Sequence, residues 1–406
     1  MGVEVDWAFF REQLPDGWRE LAVERRLIRP HPPHLGAKVT DIEPVLRLIL
    51  HRAGLQTSLR TAAGEAAAAQ MIDLSAVALH KWERKLGPYL AELTAQLCRA
   101  PTHFAPQRWS GYDVFAVDAS TMTRPHAVGT LARVHYVLRL ATLDFVQSTA
   151  TDEHGGETLR LHEGIAAPGQ LWIADRAYSN PPGIAALVGK GATVIVRCNR
   201  GVLRLYDEQD EPLDMLALVR TLQQPGKAKD WRVWIHTDHG GRIRGRLCAV
   251  RLPEDKVEQA RQRLRREHGP HVPTETLEAA AWVMVFTTVP RCRMKAARVL
   301  ELYRMRWQIE LEIKRDKSIG GLDRLPNFRS DTIVTWLQAK LLIQIVAKKI
   351  ASLAETFSPS LADWQLRAVD PLLRSLARSA HRPRSMARDG VARCSRPRGA
   401  PFRRAA

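Results

Sequence analysis

Residues 169–199, GQLWIADRAYSNPPGIAALVGKGATVIVRCN, contain two apolar runs, which are separated by a segment with polar residues, Pro and Gly. The runs LWIA and TVIV are rich in Val, Ile, Leu and Trp, which is typical of buried strands. Residues 179–189, between the runs, predict a short helix. A strand, a helix and a strand in this order predict a βαβ unit, and hence a sheet with helices packed against it.

Apolar runs on both sides of this unit predict further strands of the same sheet. YDVFAVDAS at 112–120 predicts one strand, and RVHYVLRLATLDFVQSTAT at 133–151 predicts two antiparallel strands. AAWVMVFTTVP at 280–290 predicts a last core strand, and TIVTWLQAKLLIQIVAKKIA at 332–351 predicts a helix that covers the sheet. The predicted fold class is therefore α/β, with a mixed sheet flanked by helices.

Changes of pattern divide the chain into five regions. We predict a helical region at 1–100, the first part of the α/β domain at 101–200, and a β-rich insertion with one highly charged helix at 201–281. A last strand and its helices follow at 282–351, and a short C-terminal region at 352–406. From Arg374 onward the chain is rich in Arg, Pro, Ser and Ala with few acidic residues, which predicts a disordered basic tail.

The helical region contains two helices around a short break. An Ala-rich helix precedes the break at Ile72 to Leu74, and Ser75 is placed to cap a second, basic helix. Two interpretations remain open: a DNA-binding helix-turn-helix, or an ordinary pair of packed helices with a solvated basic face. The basic residues of the second helix are His80, Lys81, Arg84 and Lys85.

Composition favours a polyanionic partner. The 406 residues include 61 Lys and Arg against 43 Asp and Glu, which gives a formal net charge of +18, and the sequence pI is near 10.2. Such a balance is typical of proteins that bind nucleic acid, although a basic surface that only keeps the protein in solution has the same composition. Charge alone does not name the partner.

Several other classes of protein are disfavoured. The five cysteines are scattered and form no CxxC pair, so the sequence predicts neither a disulfide framework nor a zinc site and fits a reducing cytosol. The N-terminus, MGVEVDWAFFREQ, lacks the pattern of a signal peptide, and no apolar stretch is long enough to span a bilayer, so we expect no membrane partner. The phosphate-loop motif GxxxxGK[ST] does not occur, so we expect no nucleotide cofactor.

Two aspartates follow apolar strand residues. Asp118 lies in FAVDAS and Asp175 in LWIADRAY, each near the predicted carboxyl end of its strand, where α/β sheets place ligands. A single Asp after a strand is more often a turn residue or a helix cap than a catalytic group. Two aspartates in the same arrangement favour a shared site.

The segment YRMRWQIELEIKRDK at 303–317 predicts part of one long amphipathic helix, from Met294 to Lys317. Five residues spaced by three, four, four and three positions would share one face of it. This stripe is either an acidic group bracketed by cations or a solvated face stabilised by pairs of Glu and Lys four residues apart. Trp307 beside it is more typical of a core residue than of a base-stacking residue, and we do not assign it to a site. The five residues are Tyr303, Arg306, Glu310, Lys314 and Lys317.

Phosphoryl transfer in DNA explains these residue types together. Cutting or joining a phosphodiester can use two divalent ions about 4 Å apart, which stabilise the attacking and leaving oxygens. Mg²⁺ requires oxygen ligands, which Asp118, Asp175 and Glu310 can supply. Arg306, Lys314 and Lys317 would then hold the DNA backbone, and Tyr303 would donate a hydrogen bond to a phosphate.

The sequence resembles the DDE transposases of the insertion-sequence-four family, which carry a Tyr-x2-Arg-x3-Glu-x6-Lys motif. Tyr303, Arg306, Glu310 and Lys317 match this motif in type and spacing. VDAS and ADRAY, in the same chain order, resemble the segments that hold that family's first two catalytic aspartates. The resemblance extends over about residues 55–351, while the Arg-rich tail matches no feature of the family.

This resemblance implies an RNase H-like catalytic domain formed by 101–200 and 282–351, interrupted by the β-rich insertion and preceded by a DNA-binding helical domain. It also implies catalysis by Asp118, Asp175 and Glu310 with two Mg²⁺ ions, which Mn²⁺ can replace. The expected partners are double-stranded DNA, as transposon ends and target, and a second copy of the chain in the DNA complex. The expected location is the bacterial cytosol at the nucleoid. Two alternatives remain: an inactive DNA-binding derivative, and a nuclease that cuts without joining.

Overall fold

The computed structural model describes residues 7–28, 39–99, 109–123, 129–238, 240–269, 271–323, 325 and 330–357. The N-terminal part is helical, as predicted. It contains α1 (Trp7–Glu12), α2 (Trp18–Glu24), α3 (Glu43–Leu55), α4 (Leu59–Ala68) and α5 (Ala76–Arg99).

The helix pair predicted around residue 72 is present as α4 and α5. Ser58 caps α4 by accepting a hydrogen bond from the Thr61 N–H at 3.1 Å. Ser75 accepts one from the Ala78 N–H at 3.2 Å, which confirms its capping role at the start of α5. Lys81 and the basic residues after it are exposed on α5.

One ten-stranded mixed sheet forms the centre of the molecule, in the order β3-β2-β1-β4-β5-β10-β9-β8-β6-β7. The pairs β1–β4 and β4–β5 are parallel, and the remaining neighbours are antiparallel. The strands are β1 (Asp113–Met122), β2 (Ala132–Arg139), β3 (Asp144–Asp152), β4 (Gln170–Ala174), β5 (Thr193–Arg197), β6 (Leu205–Tyr206), β7 (Pro212–Leu213), β8 (Ala228–His236), β9 (Arg242–Arg251) and β10 (Trp282–Thr287).

The predicted βαβ unit is β4, α6 (Pro181–Gly189) and β5. Asn180 starts α6 by accepting a hydrogen bond from the Gly183 N–H at 2.9 Å. Pro181 suits the first turn because an N–H at this position would have no hydrogen-bond partner within the helix. Strands β4 and β5 pair in parallel, so the crossover has the predicted form. The RNase H-like mixed sheet flanked by helices is confirmed.

Residues 201–281 contain strands β6 to β9 and three helices. The strands β8 and β9 are hydrogen-bonded to each other, and β9 continues the central sheet beside β10. The predicted charged helix of this region is α8. The three helices are α7 (Met215–Arg220), α8 (Glu254–His268) and α9 (Thr274–Ala279).

Three helices follow β10: α10 (Ala296–Arg304), α11 (Trp307–Gly320) and α12 (Ser330–Phe357). They cover one face of the sheet, where Val299, Ile309 and Leu337 belong to the same apolar core as strand residues. The other face packs against α6, α7 and α8. A third core joins the N-terminal helices to α12. The predicted basic tail lies outside the described residues.

Candidate active site

Asp118 and Asp175 are brought together by the parallel register of β1 and β4. The last paired residues are Val117 and Ala174, so the two aspartates are the next residues on neighbouring strands. Strand β1 continues to Met122, so Asp118 lies inside its strand rather than near the end as predicted. Strand β4 ends at Ala174, and Asp175 is the first residue beyond it.

Both aspartates belong to the face of the sheet that carries α10 and α11. Side chains alternate between the two faces along a strand. Ala116 on β1 and Ile173 on β4 lie in the core beneath α10 to α12, whereas Val117 and Ala174 lie in the core on the opposite face. Asp118 and Asp175 therefore continue the α11 face, and α11 contacts β1.

Each aspartate accepts a local backbone hydrogen bond. Asp118 accepts from the Ala119 N–H at 2.8 Å. Asp175 accepts from the Ala177 N–H at 2.9 Å and thereby caps a short 3₁₀ turn, Arg176–Tyr178. The interpretation of Asp175 as a capping residue is therefore correct. Its hydrogen bond to the Ala177 N–H fixes the position of one carboxylate oxygen.

The third carboxylate, Glu310, is on α11, which is shorter than the predicted helix. The prediction of one continuous helix from Met294 to Lys317 is wrong, because α10 ends at Arg304 and α11 begins at Trp307. Around the break the backbone bonds span three residues: the Arg306 N–H donates to the Tyr303 carbonyl, and the Ile309 N–H donates to the Arg306 carbonyl, both at 3.1 Å. Such tighter bonds are typical of 3₁₀ geometry.

The break separates the predicted stripe into residues with different environments. Tyr303 is buried at the end of α10, in the core under the helices. On α11, Glu310 and Lys317 are half-buried and Lys314 is exposed. A single solvated face is therefore the wrong description.

Trp307 is 50% exposed, so its interpretation as a core residue is wrong. The Lys314 ammonium lies 5.7 Å from the centre of its ring. An exposed aromatic face one turn before Glu310 is available for stacking.

Arg306 joins the strand carboxylate to the helix carboxylate. One guanidinium nitrogen, Nη1, lies 3.4 Å from Asp118 Oδ2, and the other, Nη2, lies 2.5 Å from Glu310 Oε1. Two residues far apart in the chain are thus held on either side of one cation. Asp118 and Glu310 share a site in the described structure.

Burial raises the pKa of Asp118 to about 6. The Arg306 charge and the Ala119 hydrogen bond oppose this rise, while the charges of Asp175 and Glu310 add to it. The three carboxylates therefore repel one another, and a cation among them lowers that repulsion.

Arg197 lies beside Asp175 and is not among the residues that the sequence predicts for the site. The last pair of β4 and β5 is Ala174 with Val196, so Arg197 is the neighbour of Asp175 on the next strand. It is half-buried, and Ile195, two residues before it, faces the α10–α12 core. Burial raises the pKa of Tyr303, and the nearby charges of Arg197 and Arg306 oppose that rise. The available signal was that Arg197 follows the apolar residues of β5 just as Asp175 follows β4.

The chemistry of the three carboxylates fits a hard divalent ion, because Mg²⁺ prefers carboxylate oxygens. Their present spacing does not complete such a site: in the described ranges no group of three His, Cys, Asp or Glu side chains is arranged to hold a metal ion. The guanidinium of Arg306 lies between Asp118 and Glu310 and pairs with both.

Residues 109–345, more than half of the chain, match the transposase DDE domain family. The chain belongs to the DDE transposases. A transposase for insertion sequence element IS421 from Escherichia coli is 31% identical over 331 residues, which cover 79% of this chain and 88% of that protein. The putative InsL transposases of insertion sequence elements IS186A and IS186B, from Escherichia coli strain K12, are 31% identical over 330 residues with the same coverage.

The family confirms the predicted enzyme class: this DDE transposase catalyses DNA cleavage and transfer, and its function is the transposition of an insertion sequence. DNA is its partner. Within the described helices, none is both long and apolar enough to cross a membrane. The family match includes all three carboxylates and the broken helix between β10 and α12.

Proposed function

We propose that this transposase cuts and joins DNA at one site made of Asp118, Asp175 and Glu310. The observation that carries the proposal is the convergence of the three residues. The sheet register makes Asp118 and Asp175 neighbours, and Arg306 holds Glu310 beside Asp118. Three elements far apart in sequence thus place their carboxylates on the same face of the sheet.

The three carboxylates would hold two Mg²⁺ ions, with Mn²⁺ as a substitute. When bound, these ions activate the attacking oxygen and stabilise the leaving oxygen of the phosphodiester. Arg306 is well suited to change partners, because a guanidinium binds carboxylate and phosphate with the same two-pronged geometry. A DNA phosphate would draw Arg306 away from Asp118 and Glu310 as the metal ions enter.

The remaining basic side chains and Tyr303 would hold the DNA strand around the reacting phosphate. Arg197 is near enough to Tyr303 for its charge to oppose the rise in the pKa of Tyr303. Lys314 and Lys317 lie along α11 beyond Glu310. Phosphate contacts of this kind fix the position of the DNA without reading its sequence. Trp307 would stack on a base that leaves the duplex at the cut.

The substrates are the terminal inverted repeats of the element and a target duplex. Helices α4 and α5 would read the repeats as a helix-turn-helix, with the exposed basic residues of α5 against the DNA. A homodimer would hold both ends in the DNA complex, in the bacterial cytosol at the nucleoid. The relatives are named for insertion sequence elements, which supports this choice of substrate.

Cleavage of a labelled duplex that carries the flanking inverted repeat tests the proposal. In Mg²⁺ the wild type should cut at the repeat boundary, and EDTA should prevent cutting. Glu310→Ala should abolish cutting while DNA binding persists, because the carboxylate is lost but the phosphate-binding groups remain. Glu301→Ala is the matched control, since Glu301 is exposed on α10 and pairs only with Arg298 among the described contacts.

Binding without cutting in either Mg²⁺ or Mn²⁺ would show an inactive DNA-binding derivative. Cutting without transfer of the 3′ end into a second duplex would show a nuclease. Equal cutting by Glu310→Ala and the wild type would contradict the assignment of Glu310.

A further inference from the structure

Helix α12 belongs to two apolar cores at once. Trp336, Leu342 and Val346 pack in the core of the N-terminal helices. Ile333, Leu337 and Leu341 pack in the core between the sheet and α10 to α12. A single helix therefore connects the N-terminal helices to the catalytic sheet.

A polar stripe on α12 contacts α11. Lys340, Gln344 and Lys348 are spaced four residues apart and so lie on one face of the helix. Lys340 Nζ donates a hydrogen bond to the Gly321 carbonyl. Gln344 Nε2 donates one to the Asp316 carbonyl at 3.0 Å. Both contacts hold the C-terminal end of α11.

Lys348 forms the charged part of this contact. Its Nζ lies 3.0 Å from Asp316 Oδ1 and 3.5 Å from Glu312 Oε2, and it also lies 4.3 Å from the ring centre of Phe145 on β3. Both acidic residues are buried, at 5% and 7% exposure. Removing the partner of a buried charge is far more costly than breaking an exposed ion pair. The contact therefore holds α11 in one position.

The side of α11 that contacts α12 bears on where Glu310 lies, because both are on the same helix. Residues two positions apart on a helix are separated by about 200° around its axis, so Glu310 and Glu312 are on nearly opposite sides. Because α11 joins α10 only through the turn at Met305 and Arg306, the rotation of α11 depends on its packing. Glu312 and Asp316 contact α12 on one side of α11, and Glu310 pairs with Arg306 beside Asp118 on nearly the opposite side.

We propose that Lys348 is a positioning residue for catalysis, which orients Glu310 through its ion pairs with Asp316 and Glu312. This proposal rests on the proposed function of Glu310. In this proposal α12 packs against the N-terminal helices and also holds the helix that carries Glu310. Lys348 touches neither DNA nor metal in this role.

The test compares full-length variants in complex with end DNA. Lys348→Met should weaken Mn²⁺ binding, measured by electron paramagnetic resonance, by roughly 10- to 100-fold, as expected when the support of a metal ligand is lost. Cleavage should fall in parallel, and end-DNA binding should be unchanged, because Lys348 does not contact DNA in this role. Lys348→Arg should retain most of both activities because the charge remains. Lys349→Met is the matched control, since Lys349 is the exposed neighbour on the same helix.

A double variant separates positioning from stability. Lys348→Met combined with Asp316→Asn removes the buried carboxyl that Lys348→Met alone would leave without its ion pair, while Glu312 keeps its ion pair with Arg315. This variant should recover the melting temperature of the wild type but not its Mn²⁺ affinity or cleavage. Recovery of all three together would overturn the proposal, as would normal Mn²⁺ binding by Lys348→Met. A wild type that neither cuts nor binds Mn²⁺ would instead contradict the proposed function itself.

Discussion

Asp118 occupies a position that is unfavourable for its charge. Burial raises its pKa to about 6, above the ordinary value near 4. Between these two pH values the folded protein binds the proton more tightly than the unfolded chain, so stability falls as pH rises through this window. Above pH 6 the charged carboxylate lowers stability by roughly 1–3 kcal/mol.

Asp118→Asn should therefore stabilise the protein at pH 8, and this gain should disappear near pH 4, where Asp118 is protonated in the folded state. Thermal unfolding at the two pH values measures the difference. Asp144→Asn is the control, because Asp144 is exposed at the start of β3 and should show no comparable gain. A destabilised Asp118→Asn protein at pH 8 would mean that Arg306 compensates fully for the burial of the carboxylate.

Candidate site residues could be predicted from the sequence where a charged residue follows the apolar residues of a strand. Other members of the site were harder to predict. Asp118 and Asp175 stand out because a charge interrupts a run of buried residues. Arg197 occupies the equivalent position on β5, but one arginine at a strand end has many structural uses. The contact of Arg306 with Asp118 was not predictable, because it depends on the register of strands and helices far apart in sequence.

At the scale of elements, strands β1 to β5 and β10 follow directly from the sequence, whereas the short strands β6 and β7 and the break between α10 and α11 do not. No Pro or Gly marks the break, and the residues around it continue an amphipathic pattern. The break depends on tertiary contacts: Tyr303 packs in the core, while Arg306 reaches Asp118. Helical periodicity predicts both α10 and α11, but it cannot locate the turn between these two helices.

The continuity of the sheet into residues 201–281 depends on close packing between β9 and β10. A Cβ atom at Gly245 would lie 2.4 Å from the ring of Phe286 and 2.9 Å from the Thr287 carbonyl oxygen. Because this ring is fully buried and the carbonyl is backbone, Gly245→Ala should destabilise the protein by roughly 1–3 kcal/mol. Urea unfolding measures the change.

Gly64→Ala is the matched control for this substitution. Gly64 lies inside α4, and a methyl group at this position would meet no atom within 4 Å, so alanine should add roughly 0.5–1 kcal/mol of helix stability. If Gly245→Ala were as stable as Gly64→Ala, β9 and β10 would not be packed as tightly as the structure shows.

At the scale of the whole molecule, the chain combines a strongly basic composition with three carboxylates at the proposed site. The net charge of +18 favours association with DNA, whereas the three carboxylates would repel its phosphates. Arg306 pairs with two of these carboxylates. Its charge therefore offsets part of the repulsion among the carboxylates.

The central claim is that Asp118, Asp175 and Glu310 form one two-metal site. The most direct measurement is the number of Mn²⁺ ions bound per chain in the complex with end DNA, counted by electron paramagnetic resonance. The wild type should bind two ions at the site, and Asp118→Asn, Asp175→Asn and Glu310→Gln should each lose at least one while still binding DNA. Full Mn²⁺ binding by any of the three variants would contradict the claim.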